Sequence, residues 1–185
     1  MSGKPSLDRY LPGDPPPQEL VKRMIRVDHA GEHGAARIYD GQLAVMGRGK
    51  HGDTIRHMAA QERAHRAAFD KLLVERRVRP TVLGPFWDAA GFALGAATAL
   101  LGERAAMACT VAVEEVIDEH YQSQAEALGE HEPALKATIE QFRAEELEHR
   151  DTGLEHGAEQ APAYELLSAA IKTGSRLAIW LATRI

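Results

Sequence analysis

The chain has 185 residues, with 27 acidic and 22 basic side chains, nine histidines, one cysteine and 5% aromatics. That length fits one domain with a sizeable core, and the single Cys109 excludes a disulfide framework and any cysteine-rich zinc or iron–sulfur site. A net charge of −5 gives no general reason to expect nucleic-acid binding.

Residues 1–17 read as a proline-rich arm holding Pro5, Pro12, Pro15, Pro16 and Pro17. The arm carries no apolar run that would suggest a secretory signal, and it lacks the Arg- and Ser-rich character of a transit peptide. The expectation is an intracellular protein, bacterial or already processed. From Gln18 onward Ala, Leu, Glu and Arg abound and β-branched alternation is scarce, which points to helices. Gly- and Pro-rich breaks at 47–52, 80–85, 129–133 and 161–162 cut the chain into five helices at 18–46, 53–78, 86–128, 133–159 and 163–184. The predicted fold is all-α: an up-down four-helix bundle with an added C-terminal helix, forming one domain over 18–185.

A weak internal repeat runs through the first four helices. Glu32 precedes Glu62-Arg63-Ala64-His65, and Glu114 precedes Glu146-Leu147-Glu148-His149. The midpoint of Glu32 and Glu62 falls in the first break, and that of Glu114 and Glu146 in the third. Each antiparallel hairpin thus sets two glutamates side by side, about 22–24 Å from its turn. Each second helix adds a histidine at i, i+3, on the same face as its glutamate. One carboxylate from each of two helices, plus Glu-x-x-His from each of the other two, is a recurring di-iron or di-manganese pattern. Carboxylates bridge metals, and four of them neutralise two divalent ions. An isolated Glu-x-x-His is usually part of a solvated face, but two matched across turns are hard to explain so. The candidate ligands are Glu32, Glu62, His65, Glu114, Glu146 and His149. Glu115 is the alternative to Glu114. Glu145 and Glu148 compete with Glu146, which alone has the i, i+3 spacing.

The remaining histidines take simpler roles. His51 and His131 fall in turns and are expected to be solvated. His29, His33, His57 and His156 read as surface residues or as neighbours of the ligands. Tyr121 shares a face with Glu114, either hydrogen-bonding near the metals or filling core.

The run Arg26-Val27-Asp28-His29-Ala30-Gly31-Glu32, with Arg37-Ile38-Tyr39 and Gly41-Gln42, resembles the demethoxyubiquinone hydroxylases of ubiquinone biosynthesis. So do residues 108–115, Glu145-Glu146-Leu147-Glu148-His149-Arg150-Asp151-Thr152-Gly153-Leu154, and Ala161-Pro162-Ala163-Tyr164. The likeness extends from about residue 20 to the C-terminus. It implies a ferritin-like di-iron monooxygenase whose six ligands fall on the six residues above, with Glu62 and Glu146 bridging. It also implies hydroxylation of a demethoxyubiquinol ring with O2, reducing equivalents from NADH, and no separate protein nucleophile. No Gly-x-Gly-x-x-Gly fingerprint accompanies this.

A prenylated quinol implies a membrane. In segment 163–185, Leu166, Ile171, Leu177, Leu181 and Ile185 fall on one arc, and Lys172, Arg176 and Thr183 face away, with Arg184 at the border. Periodicity alone favours packing on the bundle, whereas the implied substrate favours an in-plane interfacial helix with Trp180 among headgroups. The apolar part of the third helix (86–113), with Phe86, Trp87 and Phe92, is a second candidate membrane surface. It is too short to span a bilayer. Arg23, Arg176 and Arg184 are candidates for lipid-phosphate or nicotinamide-dinucleotide contact. The expected location is peripheral, on the cytoplasmic face of a bacterial inner membrane, and a lipid-binding accessory protein is a plausible partner. The competing function is a ferritin- or rubrerythrin-like iron-storage or peroxide-detoxifying protein. The named runs and the apolar last helix argue against it, as does the lack of a rubredoxin-type module. A third reading, a structural membrane-binding bundle, leaves the matched glutamate heights unexplained.

Overall fold

A computed structural model describes residues 15–185, so most of the expected N-terminal arm lies outside the described residues. Pro17 opens the first helix, where a missing N–H costs nothing. The described residues contain helices and no strand. They are α1 (Pro17–Met46), α2 (Gly52–Glu75), α3 (Gly84–Leu100), α4 (Glu103–Leu128), α5 (Pro133–Glu155) and α6 (Tyr164–Ala182), with a 3-10 turn at Ala158–Gln160 between the last two.

The one expected helix over 86–128 is two. Gly102 stands between α3 and α4 with φ 111°, a conformation that strongly disfavours any residue with a Cβ. Its carbonyl accepts from the N–H groups of Ala105 and Ala106, starting α4 in a new direction. In the sequence Gly102 ends an uncharged apolar run without a proline, and nothing there marks it as a break. The split changes the bundle. α3 returns along α1, and the core quartet is α1, α2, α4 and α5.

Two apolar clusters fix the helix directions. At one end Ile25 of α1 meets Phe69 of α2, Tyr121 and Leu128 of α4, and Leu135, Ile139 and Phe142 of α5. At the other, Tyr39, Ile55, Met58, Ala105 and Met107 come together, with Leu154 packed against them. Residue numbers rise from the first end to the second in α1 and α5, and fall in α2 and α4. Glu32, Glu62, Glu114 and Glu146 therefore occupy the layer between the clusters.

α3 and α6 lie outside this quartet. α3 approaches α1 backbone to backbone: a Cβ on Gly95 would sit 1.9 Å from the Ile38 carbonyl oxygen, and one on Gly41 2.2 Å from that of Phe92. α6 joins α1, α3 and α4 through Ile38, Leu94, Val113 and Ile171, and through Val27, Trp87 and Ile179.

Candidate metal centre

Six side chains from four helices meet in the layer between the apolar clusters. Glu32, Glu62, His65, Glu114, Glu146 and His149 are each at most 3% exposed. They form two groups, each with ligand atoms within 4.8 Å of one another: Glu32, Glu62, His65 and Glu146, and Glu62, Glu114, Glu146 and His149. Glu62 and Glu146 are common to both. Glu146 bridges the histidines, accepting from His65 Nδ1 at 3.0 Å and from His149 Nδ1 at 3.0 Å. His65 Nδ1 is also 3.4 Å from Glu32 Oε2, and His149 Nδ1 3.2 Å from Glu62 Oε1. Glu115, the sequence alternative to Glu114, instead turns outward to pair with Lys172 of α6. Glu148 is exposed.

Electrostatics in this layer are severe. Burial raises the carboxyl pKa of Glu32, and raises those of Glu62 and Glu114 well above the ordinary range, with Glu146 adding repulsion in each case. Burial opposes ionisation at Glu146 as well, but its hydrogen bonds to His149 and His65 win and hold it down at about 2. His65 is pushed up to about 11: burial resists, and the bond to Glu146 with the nearby Glu32 carboxylate outweighs it. Both oxygens of Glu62, Oε2 of Glu32 and Oε2 of Glu114 make no hydrogen bond although fully buried. Buried polar atoms are normally paired. Four such oxygens converging with two imidazole nitrogens form a donor set suited to a pair of divalent iron or manganese ions.

A surrounding layer orients these groups. Tyr39 on α1 donates its hydroxyl to Glu114 Oε1 at 3.0 Å. Tyr121 on α4 donates to Glu32 Oε1, so it serves the site as well as filling core. The outward Nε2 of His65 lies 2.8 Å from Glu145 Oε2, and that of His149 3.1 Å from Gln61 Oε1. A buried Asp28 accepts from Gln124 at 2.7 Å and from His120 at 3.1 Å. Sequence reasoning missed Tyr39, Gln61 and the role of Glu145. The signal was available. Tyr39 follows Glu32 by seven residues as Tyr121 follows Glu114, and Gln61 precedes Glu62 as Glu145 precedes Glu146.

Other candidates are placed elsewhere. Arg176 is held by Glu119 at 3.0 Å. Arg184 stacks over the Trp180 ring at 4.2 Å and donates to the Trp180 carbonyl. Arg23 is exposed on α1. His29 pairs with Asp70 and His33 with Asp88, while His57 and His131 are exposed. His51 departs from the solvated expectation. It lies 2.9 Å from Glu103 and stacks edge-on against His156, because the break at Gly102 brings the start of α4 to the α1–α2 turn.

An apolar cavity of about 490 Å³ runs between α1, α3, α4 and α6. Its wall includes Gly31 and Ala35, which flank Glu32, and Val113, which precedes Glu114, together with Trp87, Leu94 and Leu177. No helix among the described residues is long and apolar enough to cross a membrane.

The family model for ubiquinone biosynthesis protein COQ7 matches residues 19–182. A 3-demethoxyubiquinol 3-hydroxylase of Rhodospirillum rubrum is 60% identical over all of this chain and 87% of its own. The human NADPH-dependent 3-demethoxyubiquinone 3-hydroxylase, mitochondrial, is 56% identical over 89% of this chain and 78% of its own. The 5-demethoxyubiquinone hydroxylase, mitochondrial, of Saccharomyces cerevisiae is 44% identical over 90% and 78%. With buried carboxylates and imidazoles at its centre and matches that run almost end to end, the chain belongs to the COQ7 family of ubiquinone biosynthesis proteins.

Proposed function

We propose that this chain is a 3-demethoxyubiquinol 3-hydroxylase built on a ferritin-like di-iron bundle, with residues 18–185 as one domain. The observation that carries the metal reading is the pair of four-residue groups sharing Glu62 and Glu146. Glu32 and His65 would hold one iron, Glu114 and His149 the other, and Glu62 and Glu146 would bridge them. When bound, the iron pair supplies the redox chemistry with O2 that carboxylates and imidazoles lack. In the net reaction one oxygen atom replaces a ring hydrogen as hydroxyl and the other leaves as water. Two electrons and one proton come from a reduced nicotinamide dinucleotide, and the second proton comes from water. NADH is our reading, and the human relative is named for NADPH.

The chain's own residues supply positioning. Tyr39 and Tyr121 keep their hydroxyl protons, since burial raises both well above the ordinary phenol range. Each donates to one oxygen of Glu114 or Glu32, leaving the other oxygen facing the centre. The apolar cavity beside Glu32 and Glu114 takes the quinol ring and the start of its prenyl chain and excludes water. Exposed Leu166, Leu177 and Trp180 on α6, with Phe86, Leu100 and Leu101 around α3, meet the lipid surface. Arg23, Arg176 and Arg184 are proposed to contact nucleotide or lipid phosphate, Arg176 after leaving Glu119. The protein would sit peripherally on the cytoplasmic face of a bacterial inner membrane, receiving substrate directly or from a lipid-binding accessory protein.

Complementation tests the assignment. In a bacterial strain deleted for its own hydroxylase, expression of this chain restores ubiquinone and removes the accumulated demethoxy precursor. Undiminished precursor, with the chain expressed and folded, contradicts it.

A further inference from the structure

The site carries an internal two-fold pattern of residue types that is broken at one pair. Glu32 and Tyr39 on α1 stand 82 residues before Glu114 and Tyr121 on α4. Gln61, Glu62 and His65 on α2 stand 84 residues before Glu145, Glu146 and His149 on α5. The hydrogen bonds that reach the site from around it obey the same symmetry, and each of these crosses between the halves. Tyr39 donates to Glu114, and Tyr121 to Glu32. The α5 side chain of Glu145 receives His65 of α2, and the α2 side chain of Gln61 receives His149 of α5. Tyrosine answers tyrosine and histidine answers histidine, but a neutral amide answers a carboxylate.

That one difference has a direct chemical effect. In a loaded centre both imidazoles would donate Nε2–H outward, which gives up the Nδ1 proton now shared with Glu146 and leaves the Nδ1 lone pair facing the centre. A carboxylate acceptor makes a charge-assisted bond, draws the Nε2 proton toward itself and makes Nδ1 a stronger donor. An amide oxygen does this far less and brings no charge. Glu145 is also held in place by Gln141, whose Nε2 donates to its second oxygen at 3.0 Å.

Resting on the two-metal reading above, we infer that Gln61 and Glu145 are positioning residues that rank the two metal positions. The position held by Glu32 and His65 binds a divalent cation more tightly and fills first. The position held by Glu114 and His149 fills second. The two ions of a loaded centre are therefore unequal in affinity, as a consequence of one glutamine–glutamate difference between halves that otherwise match in residue type.

Anaerobic calorimetric titration of the full chain with Co(II) alone tests this without turnover. The wild type takes up two ions per chain, with affinities at least about ten-fold apart, the scale of an outer-partner effect. Charge repulsion between the ions also separates two affinities, so the decisive reading is which ligand each event depends on. Glu32→Gln weakens the first event, and Glu114→Gln leaves it unchanged. In the exchanged variant Gln61→Glu/Glu145→Gln, which conserves total charge, that dependence reverses. The single Glu145→Gln, at a partly exposed position, weakens the first event by about ten-fold and serves if the exchanged variant fails to fold. An unreversed dependence in a folded exchanged variant overturns the inference, as does a Glu145→Gln affinity equal to wild type. If the wild type fails to bind two ions, the two-metal reading falls, and the ranking with it. Two ions bound without reversal overturn the ranking alone.

Discussion

At the centre of the bundle six ionisable side chains are each at most 3% exposed, whereas on the flank built by α3 and α6 Phe86, Leu100, Leu166, Leu177 and Trp180 are each half exposed or more. Both regions reverse the ordinary distribution of polarity, in opposite senses. The centre is unfavourable for an isolated chain because carboxylates lose hydration and repel one another. The flank is unfavourable in water because apolar area remains wet. The contrast teaches what each region suits: the centre offers donors for cations, and the flank offers apolar surface that the proposed function assigns to lipid and a lipid-like ligand. The cavity between α1, α3, α4 and α6 lies between the two, with residues next to Glu32 and Glu114 at one wall and Trp87 and Leu177 at another.

The sharpest way to break the contrast is to remove its polar side. Glu62→Leu replaces a carboxylate whose two oxygens make no hydrogen bond. It should abolish loading of the iron pair and turnover. It should leave the metal-free protein at least as stable, because a buried carboxyl without a hydrogen bond gives way to an apolar side chain of similar size. Metal analysis and denaturant unfolding check the two halves of this expectation. Loss of stability together with intact loading would show that Glu62 is structural.

A smaller effect follows from removing the apolar side. Leu166→Ser, Leu177→Ser and Trp180→Ser together should weaken binding to anionic liposomes by at least about ten-fold, from the apolar area lost. Iron content should stay at the wild-type level, because none of the three belongs to the central site. Unchanged sedimentation with liposomes would remove α6 as the anchor.

The subtlest effect is on pH dependence. In the metal-free protein, burial raises Glu32, Glu62 and Glu114 above the ordinary 4.5. His65 holds its proton up to about 11, its bond to Glu146 and the nearby Glu32 carboxylate overcoming burial. For these groups the folded form binds the proton more tightly than the unfolded chain. Their stabilisation is complete below the unfolded values and is lost as pH rises through the folded ones. Glu146, held down at about 2, works in reverse, and its contribution fades only on acidification below 4.5. The metal-free Tm should therefore fall between pH 5.5 and 8.5. Saturating metal, which binds the deprotonated ligands, should remove the decline. Differential scanning calorimetry at the two pH values, with and without metal, measures both.

Much of this was legible in the sequence. The i, i+3 spacing of Glu62 with His65 and of Glu146 with His149, and the equal distances from the turns, place the central residues without coordinates, because antiparallel helices of constant rise convert residue count into height. The break at Gly102 was not legible, since a glycine in an apolar run looks the same whether it packs or turns. Nor was the split of the third helix, which puts α3 against α1 and leaves α4 in the core. In the sequence Glu145 stands only as a competitor of Glu146. Its contact with His65 on α2 depends on helix rotation, which spacing within one helix does not fix. Arg176 was unpaired on paper because its partner Glu119 lies 57 residues away.

The most direct test of the central claim is the isotopic mass of the product from one experiment. The chain is reconstituted anaerobically with Fe(II), supplied with demethoxyubiquinol and reductant, and exposed to ¹⁸O2. The account predicts two irons per chain and a product quinol carrying one ¹⁸O atom at the new ring hydroxyl. Hydroxylated product without the label, or full turnover by a chain holding no iron, would contradict it.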